Sequence, residues 1–579
     1  MNGPIPLRLW PAGLLVVLMV GLRFVPGMFK SESDALMMLS TMGPLMCTVL
    51  LLIWWLAASR ATGREKLLGL MGLTAGGGIA LAISDPSMRS LATMLIWTVP
   101  MGFAGFALGS FLARARPAFQ RVWLAIVVAA VGFGFSALLR NEGMWGHGKL
   151  DLQWRWSPSA EEQWLVEDSA AAELPAAPVE ANVWVTALAN PEWPGFRGPE
   201  RSSRQRGVKF SADWKANPPE QIWKIPVGPG WSSFAVAGSF LFTQEQRGSK
   251  ECVACYDAKT GKEIWIAEIE ARFFDPLGGP GPRATPELSG GKLYVQGAAG
   301  DLLCLDPRAG STVWHRNIGK VADRKPPTWG WSGSPLVIDG VVVVHVGGEG
   351  DKGTLAFDAE NGELKWSTPA GDHAYSSAQA MTIGGRQVVV MLTNYGMRVL
   401  EPSSGKPLLE YDWKHGGYRA LQPQLVGTDT VILTSGRSTG TRRVRLAPTE
   451  AGFSHEELWT SRNLKSDFND FVVYDGNIYG FDGAIFACVD LENGDRKWKG
   501  GRYGKGQVLL LEDSGMLLVI SERGEGVLLK ATPDEHEELA KVQLLTGKTW
   551  NHPVVVGNRL FVRNGQEAAC FALPSVPKN

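Results

Sequence analysis

A short motif returns at intervals through the C-terminal part of this chain. Cys255-Tyr-Asp257-Ala-Lys-Thr-Gly261-Lys-Glu-Ile-Trp265 recurs as Cys304-Leu-Asp306 with Gly310 and Trp314, as Ala356-Phe-Asp358 with Gly362 and Trp366, and as Cys488-Val-Asp490 with Gly494 and Trp498. Each copy reads as a strand, an Asp-to-Gly turn and a second strand. Asp at the head of the turn accepts from backbone N–H groups, Gly takes the positive φ the turn needs, and Trp packs between neighbouring sheets. One such hairpin cannot bury its own faces, so the copies must stack. Weaker copies place Leu409, Trp459 and Leu539 at the Trp position, and Trp223 supplies a lone outer strand ahead of the first full repeat. These eight positions lie 39 to 52 residues apart, close to the length of a four-stranded propeller blade. The spacing predicts an all-β, eight-bladed β-propeller. The strands 552–556, 559–563 and 567–573 lack a fourth partner, and 221–227 is predicted to supply it. That pairing closes the ring and removes the exposed sheet edges.

Five apolar stretches precede the repeats, roughly 7–25, 35–59, 67–84, 91–113 and 122–139. Each has the length to cross a bilayer, and the second carries no charge over 25 residues. The first is interrupted by Pro11 and Arg23. The expectation is an α-helical membrane domain of five transmembrane helices over residues 1–140, in direct contact with the lipid bilayer. Lys and Arg gather in the second loop (Arg60, Arg64, Lys66) and the fourth (Arg114, Arg116, Arg121), against Lys30 in the first and Arg89 in the third. Basic loops stay cytoplasmic. In a bacterium this puts the chain in the inner membrane, with its N-terminus cytoplasmic and everything after Arg140 periplasmic. Residues 141–190 read as a juxtamembrane segment and an Ala/Pro/Glu-rich linker. Trp154 and Trp156 fit interfacial anchors, and Ser157 to about Asn182 fits a flexible spacer. The propeller is expected over 191–579. A formal net charge of zero and the absence of any basic run argue against nucleic acid as a partner.

The Ala/Cys-x-Asp-x-x-x-Gly-x-x-x-Trp repeat resembles that of propellers in pyrroloquinoline quinone (PQQ) dependent dehydrogenases, over roughly residues 190 to 573. It is also similar to the repeat of propellers that hold no quinone, including the bacterial outer-membrane assembly lipoprotein, so it specifies fold more than chemistry. The five-span anchor resembles that of membrane-bound quinoprotein glucose dehydrogenase, which passes electrons to ubiquinone, although this propeller is much shorter. Trp193-Pro-Gly-Phe-Arg-Gly198 and Lys548-Thr-Trp-Asn-His552 look like motifs of bacterial proteins known only by PQQ-like repeats.

Four of the six cysteines, Cys255, Cys304, Cys488 and Cys570, occupy the small buried slot that Ala356 fills in another repeat. They read as packing residues. Tyr256 follows Cys255, so no Cys-x-x-Cys-His haem site exists, and no second His or Cys pair matches a zinc spacing.

The loops that lead from each Trp strand into the next blade converge at one mouth of the central channel, and they are rich in rings and cations. Candidate cofactor-binding residues there are Trp231, Arg283, Trp331, Arg419, Gln422, Asn469, Lys505, Trp550, Asn551 and His552. The resemblance implies PQQ with Ca²⁺. Trp331 or Trp550 would stack on the quinone, Arg283 or Arg419 would hold its carboxylates, and Asp470 would be the catalytic base. A calcium site would draw on Asn469, Asp470 and a Glu, for which Glu245 is the candidate, but adjacent residues on a strand face opposite ways. Two functions fit the sequence. One is a quinoprotein-type dehydrogenase that oxidises an alcohol or sugar and passes electrons to membrane quinone. The other is a non-catalytic binding or assembly module that meets an envelope protein partner.

Overall fold

A computed structural model describes residues 6–576, apart from 29–33, 147, 171–179, 416 and 437–438. Two compact units divide the chain, one of residues 1–159 with 274–279, the other of 160–273 with 280–579.

In the first unit, four described helices are long and apolar enough to cross a membrane: Met38–Ala58, Gly63–Ile83, Leu91–Leu112 and Ala118–Leu138. The expected fifth span is not among them. Pro11 has no N–H and sits in the first turn of the helix Trp10–Met28, leaving Leu7 to Leu9 outside it. The helix carries the Arg23 charge within it, which sets it apart from the four longer apolar helices. The last two spans approach closely because their contact is built on glycine: a Cβ on Gly105 would lie 2.6 Å from Val128 O, and one on Gly109 2.7 Å from the Ala125 Cα. Thr62 and Glu65 form a capping box at the start of Gly63–Ile83, and Glu65 also receives the buried Arg121 guanidinium at 2.5 Å. A hairpin of Leu139–Met144 and Leu150–Trp154 follows the last helix, and Trp156 stacks on Trp154 at 5.1 Å.

In the second unit, part of the expected spacer is helical. Ala160–Ala170 docks on the first blade through Glu161, whose carboxylate accepts from Gly248 N–H and binds Arg272 with both oxygens (2.9 and 3.0 Å). Ala181–Ala189 docks through Trp184, which stacks on Phe240. Residues 171–179 of the spacer lie outside the described residues.

Eight antiparallel four-stranded sheets form the propeller: blades 1 to 7 over 235–269, 287–317, 336–368, 379–412, 424–461, 472–502 and 507–543, and blade 8 from 554–572 with Glu220–Pro226. The predicted closure is present, with Trp223 paired to Cys570 and Ile225 to Ala568. The core lies between blades, as where Phe242 and Val253 of blade 1 meet Leu293, Val295 and Leu303 of blade 2.

The repeated motif works across two blades. The Trp265 indole donates to Pro307 O in the turn of blade 2, Trp314 to Ala359 O in blade 3, Trp366 to Pro402 O in blade 4, and Trp459 to Leu491 O in blade 6. The motif glycine lies flat under that ring. A Cβ on Gly310 would stand 2.6 Å from Trp265, and one on Gly362 2.7 Å from Trp314. Asp257 and Asp358 each accept two backbone N–H bonds that hold the turn. Leu replaces Trp where the receiving turn differs: Leu409 faces the longer hairpin end of blade 5, and Leu539 faces blade 8, whose outer strand is Glu220–Pro226.

Candidate functional site

The inner strand of each blade starts at one mouth of the channel, and the preceding loops set their side chains around it. Half-buried rings form two groups. Trp231 and Trp550 lie 4.8 Å apart, with Phe468 5.0 Å from Trp550. Trp329 packs edge-on to Tyr418 (4.3 Å) and Tyr375 (5.1 Å). Asp467 joins the two groups, accepting from Tyr418 OH at 2.5 Å and from Lys505 Nζ at 2.9 Å, and Lys505 also lies over Phe468. Lys548 Nζ sits over both Trp231 and Trp550, at 5.1 and 4.6 Å. Trp550 Nε1 donates to Glu522 Oε1 (2.8 Å), and Arg283 lies over Phe273. The result is a collar of aromatic faces and cations supplied by loops from around the ring.

Beneath the collar the channel is filled by the chain itself. Trp193 bridges to Val236 of blade 1. Arg201 binds Glu287 of blade 2 (3.0 Å) and Pro335 O before blade 3, and its carbonyl accepts from Gln379 of blade 4. Arg204 donates to Val473 O of blade 6, and Arg204–Gln205 adds a short parallel strand to blade 7. Ser203 Oγ meets His552 Nε2 at 2.8 Å before blade 8. Positive φ at Arg197, Gly198, Arg201 and Ser203 folds this segment into a compact plug.

Asp470 is 2% exposed, and Arg197 of the plug lies 3.4 Å from its Oδ1. Loss of solvent pushes the Asp470 carboxyl up to about 6, against the pull of Arg197. Gln422, with its amide nitrogen toward Asp470, donates to Oδ1 at 3.1 Å and accepts from Ser377 N–H. Burial likewise holds His552 neutral, down to about 3.

The candidates therefore separate. Trp231, Lys505 and Trp550 are in the collar, and Arg283 stands at its edge. Asp470, Gln422 and His552 meet at the plug. Trp331 is in the core, its ring packed under Gly300 and Gly319 and its N–H given to Val346 O. Arg419 is buried with its two Nη groups on Thr393 O and Trp413 O. Asn551 Nδ2 ties Gly230 O to Ser232 O, and Asn469 Oδ1 accepts from Asp467 N–H within its own loop. Glu245 lies between blades 1 and 8 with Arg247 (2.6 Å), Arg563 and Tyr256. Asn469, Asp470 and Glu245 thus do not converge, and among the described residues no group of three or more His, Cys, Asp or Glu side chains is arranged to hold a metal ion. The sequence reading missed Arg197, Ser203 and Phe468. The Trp193–Gly198 motif, with its clustered Arg and Gly ahead of the repeats, was the available signal.

A family described as the outer membrane protein assembly factor BamB matches residues 214–327 and, overlapping, 249–500. BamB of Yersinia pestis is 26% identical over 180 residues, 29% of this chain and 42% of that protein, so the chain spans less than half of this relative's length. BamB of Burkholderia pseudomallei is 24% identical over 361 residues, 57% of this chain and 84% of that protein. The quinoprotein alcohol dehydrogenase PedH of Pseudomonas putida is 32% identical over 129 residues, 21% of this chain and 20% of that protein. With its repeats matched over these residues and closed into eight blades, the chain is a β-propeller protein of PQQ-like repeats.

Proposed function

We propose that this protein is a membrane-anchored, non-catalytic propeller that holds an envelope protein partner against the collar at its mouth. The observation that carries this reading is the commitment of the quinone-binding candidates to their own chain. Asp470 faces Arg197, Arg419 spends its Nη groups on backbone carbonyls, and Trp331 has its ring packed under two glycines. Of the side chains left half-exposed, the aromatic rings Trp231, Trp329, Tyr375, Tyr418, Phe468 and Trp550 are of the type enriched in protein-binding surfaces. Relatives named as assembly factors agree with a partner-binding role.

The basic second and fourth loops support an inner-membrane location with the propeller in the periplasm. This does not depend on the first helix, because the chain leaves the last span opposite the basic loops either way. A dehydrogenase is the second reading, favoured by the PedH match, with Asp470 as base and PQQ at the mouth.

One experiment separates the two. A photo-crosslinking residue at Phe468 or Tyr418 is expected to trap one envelope protein, whereas the same residue at Val313, on an exposed outer strand, traps none. Titration of the detergent-solubilised protein with PQQ and Ca²⁺ is expected to leave the tryptophan fluorescence unchanged. Saturable micromolar PQQ binding that Asp470→Ala abolishes would sink the binding-module reading.

A further inference from the structure

Asp482 ends the second strand of blade 6, Asn477–Asp482, and its side chain is 2% exposed. Three cations converge on it. Lys465 Nζ lies 2.5 Å from Oδ1, while Lys499 Nζ (2.7 Å) and Arg496 Nη2 (2.9 Å) share Oδ2. Burial alone would raise the Asp482 carboxyl, but hydrogen bonds from Lys465 and Lys499 hold it below its usual range, so it is ionised. One negative charge thus meets three positive ones, and among the described residues no second carboxylate pairs with any of the three.

The cations are open to solvent, with the side chains of Lys465, Arg496 and Lys499 about one-third exposed. Their hydrogen-bonding capacity is only partly used by the chain. Among the described residues Lys499 Nζ donates to Asp482 alone, Lys465 Nζ also to Arg462 O, and Arg496 Nη2 also to Asn463 O, which leaves Arg496 Nε and Nη1 to solvent. Because the three heads share one carboxylate, the spare donors surround a single spot on the surface.

The loop that carries Lys465 also builds the collar. Ser466 Oγ donates to Phe481 O, one residue before Asp482, and Asp467 and Phe468 of the collar follow directly. A chain seated on Phe468 therefore has the cations beside it. Between residues 462 and 502 no large apolar side chain is exposed, so nothing next to the cluster would enter a lipid layer.

We propose, building on the partner-binding reading of the collar, that Lys465, Arg496 and Lys499 dock an acidic segment of the protein that sits there. Asp or Glu carboxylates of that segment accept from the spare N–H groups and balance the excess charge. Opposite charge at the rim of an interface fixes register and speeds encounter.

The test is fluorescence anisotropy of a labelled oligoglutamate peptide with the full chain in detergent at low salt. Saturable binding is expected, weakened about tenfold in Lys465→Gln with Lys499→Gln, as the loss of two surface charge pairs implies. Lys530→Gln with Lys541→Gln, on blade 7, makes the same change in net charge and leaves binding as it is. Asp482→Asn removes the competing carboxylate and tightens binding, a gain that a folding defect would not produce. Equal binding in wild type and Lys465→Gln with Lys499→Gln, weaker binding in Asp482→Asn, or displacement of the peptide by millimolar glycerol phosphate overturns the assignment. A partner trapped at Phe468 with the same yield in Lys465→Gln with Lys499→Gln also overturns it and leaves the collar reading standing. Peptide binding that follows these variants while Phe468 traps no partner sinks the collar reading and keeps the acid-binding site.

Discussion

Gly310 shows how a single residue carries both a turn and an interface. Its φ of +67° belongs to the turn, while the missing Cβ leaves room for Trp265 of the preceding blade. Gly340 has a similar φ of +75° with nothing within 4 Å of its would-be Cβ. Gly340→Ala is therefore expected to cost about 1 kcal/mol from backbone strain, and Gly310→Ala about 3 kcal/mol, because overpacking adds to it. Denaturant unfolding of the two variants measures the difference, and equal losses would mean that the Trp265 ring gives way. The candidate site was less legible at this scale. Rings and cations in the mouth loops could be picked out by type, but Trp231 and Trp331 look alike in sequence, and burial separates a collar residue from a core one.

The plug is the element that sequence patterning did not reveal. It has no periodicity because its backbone groups bond to scattered partners, Trp193 with Val236, Ser203 O with Leu510 N–H and Arg201 O with the Gln379 side chain, and not along one extended ladder. Arg197 and Asp470 are each nearly inaccessible, so removing one charge leaves the other buried and uncompensated. Arg197→Met is expected to destabilise the propeller by about 3–5 kcal/mol, and Arg197→Met with Asp470→Leu by less than Arg197→Met alone. Thermal unfolding of the single and double variants checks this, and a double variant less stable than the single one would contradict it. The first apolar stretch is not among the helices long and apolar enough to span, and it differs from them locally in Pro11 at its first turn and the Arg23 charge within it. Two helices in the expected spacer escaped notice because their order comes from Glu161 and Trp184 docking on blade 1, contacts far apart in the chain.

Across the whole propeller, buried ionisable groups set opposing responses to pH. His345 and His552 are held down to about 3 by burial, so the neutral rings contribute stability above pH 6.5 that is lost as pH falls toward 3. Glu251 is pushed up to about 7, again by burial, so stability falls as pH rises from 4.5 to 7. The loss caused by His345→Gln, measured against wild type, is expected to shrink as pH drops from 6.5, while Glu251→Gln gains on wild type as pH rises to 7. Melting temperatures from pH 4 to 7.5 test both signs, and parallel curves would refute them. Blade number, ring closure by 221–227 and helices apolar and long enough to span a membrane ahead of the propeller were readable from the chain alone, although four such helices stand where five were expected, because a repeat must stack on copies of itself and an apolar run of that length has few other homes. What fills the channel, which mouth residues stay accessible and which charges face each other came from packing. Arg197 and Asp470, more than 250 residues apart, meet because ring closure brings every inner strand to one axis.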